Sequence, residues 1–279
     1  MEHSRHNPKA SGDMAWKTSI TSIEPNRILL RGYPLDEMMG RCNFSEGVYL
    51  LLTGELPSLS LGRLIDAMLV SFIDHGVTPP STLAARNAAT TGASLRGSVA
   101  AGVLGFGPHH GGDLLACRQL LDDGLVVART GKSLAQAASE LVAKMVDGHD
   151  GKIVPPPGFG HRYHTKDPRA IRLMQMAHEL EVDHEYTQLL RAIEHALATH
   201  PELKERSLPI NIDGAVAAVC GDIGLPPEVA DALLVISRVP GLAAHALEEQ
   251  QRETPMRLIN PAAHVYDGPS ERRLSDRRK

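Results

Sequence analysis

The chain has 279 residues, 42% apolar but only 4% aromatic, with 29 basic and 33 acidic side chains and a net charge of −4. That is enough apolar material for one large domain or two modest ones, with a core of Leu, Ala, Val, Ile and Met that favours helix packing over an aromatic-rich sandwich. The charge balance excludes a global field for nucleic acid or acidic membrane, and the three cysteines, Cys42, Cys117 and Cys220, are too far apart for a metal motif or a disulfide framework.

Residues 1–20 read as a flexible lead-in, and residues 1–13 are too polar for a secretory signal. No apolar run reaches the ~18 residues of a membrane span. The cysteine pattern makes a reducing cytoplasm the default expectation. The basic tail, Arg272, Arg273, Arg277, Arg278 and Lys279, is interleaved with acids and reads as a frayed end.

The run Arg27-Ile-Leu-Leu-Arg-Gly-Tyr-Pro34 is a strand or turn closed by Gly32 and Pro34, and residues 45–52 form a short helix ended by Gly54 and Pro57. From Leu61 the apolar positions Leu64, Ile65, Met68, Leu69, Phe72 and Ile73 share one helix face, which stops at Asp74-His75-Gly76. A helix rich in alanine (Ala84, Ala85, Ala88, Ala89) starts near Ser81-Thr82, and an apolar stretch over 98–104 ends at Gly105-Phe-Gly-Pro-His-His-Gly-Gly112. Further helices are expected over 114–121 and 133–146, around Ile171, Met174 and Leu180, and around Leu189, Leu190, Ile193 and Leu197. One more is entered through Asp213, and a long apolar helix over 228–249 is expected to be central. The fold expected is predominantly helical.

Five places could carry chemistry. In Pro155-Pro-Pro-Gly-Phe-Gly-His-Arg-Tyr-His-Thr-Lys-Asp-Pro-Arg169, prolines and glycines forbid regular structure and then hand over to clustered titratable groups. Such a loop suits an anionic ligand whose chemistry needs proton transfer; its plain alternative is a solvated loop with a helix start at Asp167-Pro168. His109-His110-Gly-Gly lies between two helices, where the positive end of the following helix would favour a neutral, hydrogen-bond-donating ring, or where the histidine simply caps. Asp213 in Asn211-Ile-Asp-Gly is either a helix cap or a partly desolvated base. His75 can be a helix-end histidine, and Arg238, in an apolar run, needs an anionic partner, either a buried carboxylate of the protein or one on a ligand.

Together these motifs resemble the citrate synthase superfamily, which includes the citryl-CoA lyases and the lyase portion of ATP-citrate lyase. The resemblance runs from about residue 28 to about residue 261, through Leu29-Leu-Arg-Gly-Tyr-Pro, Tyr49-Leu-Leu-Leu-Thr-Gly-Glu-Leu-Pro, Asp74-His-Gly, His110-Gly-Gly, Gly158-Phe-Gly-His-Arg, Asp167-Pro-Arg, Asn211-Ile-Asp-Gly and Arg238, in the family's order. It implies an all-α fold with a large domain (1–111 and 223–279) and a small domain (112–222), a cleft between them that closes on substrate, and a working dimer or higher homo-oligomer. It further implies that His110 stabilises the enolate of an acyl thioester, that Asp213 exchanges a proton with its carbon, and that His161 acts on the oxygen of the four-carbon acid. His75, Arg169 and Arg238 would hold that acid's carboxylates. The loop Ile153, Pro155, Pro156, Pro157, Gly158, Phe159 and Gly160, with Arg162, would meet coenzyme A, which is a substrate and not a resident cofactor. No metal is implied.

Two departures stand out. The spacing from His161 to Arg169 is one residue tighter than in the usual synthase motif, and the arginine that synthases place before a C-terminal proline is replaced by Ile259-Asn260-Pro261. Arg257 or Arg252 would have to substitute. Asp74-His-Gly and Asn211-Ile-Asp-Gly look closer to the lyase portion of ATP-citrate lyase, so the expectation is a citryl-CoA lyase releasing acetyl-CoA and oxaloacetate. The alternatives are a citrate or 2-methylcitrate synthase and, in another class, a non-catalytic regulator that binds acyl-CoA.

Overall fold

The structure is a computed structural model that describes residues 16–111, 113–147, 154–257, 261–263 and 265–273. The expected lead-in over 1–15, Gly112, Ile153, Ile259, Asn260 and the last basic residues lie outside the described residues. Eleven α-helices and one three-stranded sheet make the described chain a mainly helical protein, as expected. It divides into two compact units, residues 1–72 with 112–237 and residues 73–111 with 238–279. The expected large and small domains are cut elsewhere, between 111 and 112 and between 222 and 223, and stand as a proposal.

The first unit opens with an antiparallel sheet of β1 (Thr21–Glu24), β2 (Arg27–Leu30) and β3 (Tyr33–Pro34). Two tight turns make it. Glu24 pairs with Arg27 across Pro25-Asn26, with Asn26 at φ 63°, and Leu30 pairs with Tyr33 across Arg31-Gly32, both at positive φ. Proline followed by a left-handed asparagine, and two consecutive left-handed residues, are the conformations that two-residue turns require.

After α1 (Leu35–Met38) comes α2 (Phe44–Thr53), where the Asn43 N–H donates to Glu46 Oε2 at 2.8 Å and Gly54 at φ 93° ends the helix. The apolar face predicted from Leu61 is that of α3 (Leu59–Phe72), with Leu64, Ile65, Met68, Leu69 and Phe72 buried. Ile73 lies past the helix end and is 46% exposed.

The unit continues with α6 (Asp113–Ala128), α7 (Leu134–Asp147), α8 (Pro168–Glu179), α9 (Glu185–Thr199) and α10 (Ile212–Asp222). Helix α10 packs against α6, α8 and α9 and is buried from Gly214 to Gly221. Its small residues permit that crowding: a Cβ at Gly221 would overlap the Tyr186 ring. At its far end Asp222 accepts from the N–H groups of His184, Tyr186 and Thr187 at 2.8–3.0 Å, an anion set on the positive end of α9.

The second unit pairs α4 (Pro80–Thr90) with α5 (Leu95–Leu104). Side chains at Gly102 and Gly105 would press on Ser81 at 2.9–3.0 Å, so glycine is what lets the end of α5 reach the first turn of α4. The long apolar helix is α11 (Pro227–Arg252), which belongs to the first unit through Ser237 and to the second from Arg238. Within the second unit the side chain of Glu249 is 1% exposed and accepts from Arg86 Nε at 2.7 Å and from Arg257 Nε and Nη2 at 2.9 and 2.6 Å.

The expectation of no membrane-length stretch needs correcting. With 26 residues and a mean hydropathy of 1.3, α11 is long and apolar enough to cross a membrane by length and composition. Core helices of folded proteins pass the same test, and α11 buries Leu233, Leu234, Leu242, Ala246 and the charged Arg238 and Glu249.

Candidate active site

In the first unit the proline loop is zipped to the residues that enter α10. Gly160 N–H donates to Pro209 O at 2.8 Å, Asn211 N–H to Gly158 O at 3.0 Å, and Asn211 Nδ2 to Gly160 O at 3.1 Å. Gly158 and Gly160 both sit at positive φ, 84° and 81°. Behind the zipper the two chains almost touch. A Cβ on Gly158 would overlap Cys117 Sγ and lie 2.9 Å from Gly214 Cα, and one on Gly214 would overlap the Gly158 carbonyl. Burial, and then the charges of Asp213 and Asp113, push the Cys117 thiol far up, so it stays protonated and serves as filler. Pro156, Gly158 and Phe159 are buried, whereas Pro155 and Arg162 are exposed.

The loop delivers His161 to a tight turn. The backbone N–H groups of Tyr163 and His164 both donate to His161 Nδ1 at 3.1 Å. A nitrogen that accepts two N–H groups carries no proton, so the neutral ring holds its proton on Nε2. Burial, the neighbouring charge of His164 (ring centroids 4.4 Å apart), and Arg169 and Arg162 lower the pKa of His161 against the opposing pull of Asp167. The result is a neutral imidazole with a donating Nε2.

Asp213 occupies the first turn of α10, but it does not cap the helix. Asn211 is the cap, its side-chain oxygen accepting from Gly214 N–H at 3.0 Å. The residue that caps α10 is thus Asn211, and Asp213 lies half-buried in the first turn beyond it. Arg169 Nε and Nη2 fork onto Asp167 at 3.0 and 2.9 Å. Beside this network lies a cavity of about 500 Å³ lined by Thr165, Lys166, Ile171, Met174, Arg191 and Ile210, among others.

In the second unit His110 sits in a turn closed by reciprocal backbone bonds with Gly107, both 2.9 Å, and its ring stacks on Phe106 at 5.1 Å. Its Nε2 shares a 2.8 Å hydrogen bond with the hydroxyl of Ser81, which is fully buried in the first turn of α4. That bond sets the ring beside the first turn of α4. His75 lies exposed in the loop after α3, next to Asp74, whose Oδ2 accepts from Gly76 N–H at 2.9 Å and whose Oδ1 lies 3.1 Å from His245 Nε2. Burial raises the Asp74 pKa, but these bonds outweigh it and the carboxylate stays ionised below its usual range. Arg238 is only 4% exposed, on α11.

Arg257 lays its Nε–Nη2 edge on Glu249, and its backbone N–H donates to Thr90 Oγ1 at 3.0 Å, which ties the chain after α11 to α4. Of the thioester-binding candidates, Ile153 lies outside the described residues. Among the described residues no group of three His, Cys, Asp or Glu side chains is arranged to hold a metal.

The first unit therefore carries His161, Asp213, Arg169 and the proline loop, and the second carries His110, His75 and Arg238. Sequence reasoning missed the supporting groups Ser81, Asp167, Asn211 and His245. For Asp167 the signal was present as Asp-Pro, an N-cap followed by proline at the first helical position; Ser81 and His245 are distant in sequence from what they hold and left no local sign.

Residues 59–262 match the family model described as citrate synthase, C-terminal domain. The chain belongs to the citrate synthase family. A citrate/2-methylcitrate synthase of Bacillus subtilis is 30% identical over 233 residues, 81% of this chain and 57% of that protein; the chain thus spans little more than half the length of the synthases it matches. The structure of citryl-CoA lyase from Hydrogenobacter thermophilus superposes with a TM-score of 0.81 at 36% identity, covering 95% of this chain and 100% of that one. ATP citrate lyase of Methanosaeta concilii, solved in complex with (3S)-citryl-CoA, shares the fold at TM-score 0.74 and 19% identity over 94% of this chain and 43% of that one.

Proposed function

We propose that this chain is a citryl-CoA lyase, splitting citryl-CoA into acetyl-CoA and oxaloacetate. The observation that supports the reading is the likeness to the Hydrogenobacter lyase, 36% identity at a TM-score of 0.81, against 30% identity to the Bacillus subtilis synthase. His161 takes the proton of the tertiary hydroxyl at Nε2 as the carbon–carbon bond breaks and the oxaloacetate carbonyl forms. His110, oriented by Ser81, holds the enolate oxygen of the departing acetyl thioester, and Asp213 gives a proton to its carbon. The neutral tautomer that the 161–164 turn favours already carries a proton on Nε2, so cleavage needs the ring to enter with Nε2 free and its proton on Nδ1, the Tyr163 and His164 N–H bonds opening first, and the ring leaves as the imidazolium. His75, Arg169 and Arg238 take the carboxylates, and the loop 154–160 with Arg162 meets coenzyme A, which enters as the substrate thioester. The working unit is a homodimer or higher homo-oligomer in the cytoplasm, acting on small molecules alone.

The second reading, a citrate or 2-methylcitrate synthase, is favoured by the names of the sequence relatives. One paired assay separates the two. Oxaloacetate release from citryl-CoA, read through NADH oxidation, is the expected activity; thiol release from acetyl-CoA plus oxaloacetate at a matching rate would make the protein a synthase. Asp213→Asn is expected to lose ~10²–10⁴-fold in either direction while staying folded, and near-full activity in that variant would remove Asp213 from its role.

A further inference from the structure

Asp167 is the most fully engaged side chain near the candidate site. Its side chain has no exposed surface, and it accepts four hydrogen bonds: Arg169 N–H and Nε on Oδ1, both 3.0 Å, and Arg169 Nη2 and Ile212 N–H on Oδ2, 2.9 and 3.0 Å. A helix cap needs only the first of these. The other three join two pieces of chain 45 residues apart: the guanidinium of Arg169, and the backbone of the residue that precedes Asp213. Four accepted bonds use the lone pairs of a carboxylate, so Asp167 has no capacity left to act as a base.

The arrangement also fixes which edge of Arg169 faces outward. Asp167 takes the Nε–Nη2 edge. Among the described residues Nη1 makes no hydrogen bond, and the side chain is 25% exposed. The Nη1–Nη2 edge is a second fork, matched to a ligand carboxylate. Burial works to raise the pKa of Asp167, but Arg169 and the two N–H groups outweigh it, so the anion persists well into acid.

We propose that Asp167 is a positioning residue that sets the carboxylate-gripping edge of Arg169 and the first turn of α10, with Asp213 on it, from one buried anion. The proposal rests on the lyase reading for the identity of the ligand. It implies that the grip on the four-carbon acid and the placing of the proton donor are mechanically linked, so that one substitution harms both binding and turnover.

The test uses the full chain and Asp167→Asn, which keeps size but turns one acceptor oxygen into a donor facing a guanidinium. Oxaloacetate affinity, measured by calorimetry without thioester, is expected to fall at least tenfold. In the condensation direction the KM for oxaloacetate should rise by a similar factor and kcat should drop about tenfold, while the KM for acetyl-CoA stays within twofold. A merely structural role would instead lower the active fraction, reducing kcat with both KM values unchanged, and that result overturns the proposal; so does wild-type behaviour throughout. Asp167→Glu, which keeps the charge but displaces it, serves if the asparagine variant fails to fold, and it should show the same KM split. The Arg169 Nε–H resonance reports on the positioning without any activity. In the wild type it should be shifted and protected from exchange, and in Asp167→Asn neither; protection in both overturns the proposal. A wild-type protein that neither binds oxaloacetate nor turns over citryl-CoA defeats the lyase reading alone, and the resonance then still decides the role of Asp167.

Discussion

His161 owes its protonation state to four neighbours that can be changed one at a time. Its pKa lies below 6.5 because burial and then His164 disfavour the cation. A histidine shifted down is neutral in the fold at a pH where the unfolded chain already takes a proton. Its contribution to stability is therefore complete above the unfolded value and is lost as pH falls through the folded one. The acid limb of activity assigned to this ring should lie below 6.5. His164→Ala removes the second-ranked cause, so the His161 pKa should rise and the acid limb of kcat/KM should move to higher pH, with the ring followed directly by NMR titration. A limb that does not move would mean that the repulsion is not felt. Arg257 lays the same Nε–Nη2 edge on Glu249 that Arg169 lays on Asp167.

At the scale of elements, α10 and the proline loop form one construction. Gly214→Ala places a methyl on the backbone of Gly158, where no side-chain rotation can relieve the overlap. A loss of about 1–3 kcal/mol is expected from thermal or urea unfolding, the usual cost of overpacking, and wild-type stability would show that the zipper can slide apart. How much of this was legible follows from the physics of each signal. The spacing of Leu64, Ile65, Met68, Leu69 and Phe72 gave α3, because period 3.6 is written locally. The rigid loop was legible in its prolines and glycines. The choice between Asn211 and Asp213 as cap was not, because it turns on which side-chain oxygen reaches Gly214 N–H, a matter of two residues in register. The sheet was half legible: the turn residues Pro25-Asn26 and Arg31-Gly32 mark both hairpins, but β1, whose Ser22, Ile23 and Glu24 are all exposed, carries no apolar alternation to reveal it.

Across the whole molecule, each unit has its own ionic keystone. In the unit of residues 73–111 and 238–279, Glu249 joins α4, α11 and the chain beyond through Arg86 and Arg257. Burial raises its pKa, but Arg86 and then Arg257 outweigh that, leaving it below the ordinary 4.5. A carboxylate shifted down stabilises the fold above its unfolded pKa, and that support disappears as pH falls through the folded value. Glu249→Gln should cost about 2 kcal/mol near neutral pH, since it leaves the largely buried Arg86 with only the more distant Glu253, 3.9 Å away, as counter-charge. Its difference from the wild type should shrink in acid; a difference constant with pH would assign the loss to packing instead.

Cys117, Gly158 and Gly214 fill one another's space from three separate parts of the chain. Neither glycine has room to grow where it stands. Divergence at this spot should therefore move the backbone: a lineage that gains a methyl at position 214 is expected to carry a shifted loop, and one that gains it at 158 a smaller residue at 117 together with a shifted loop.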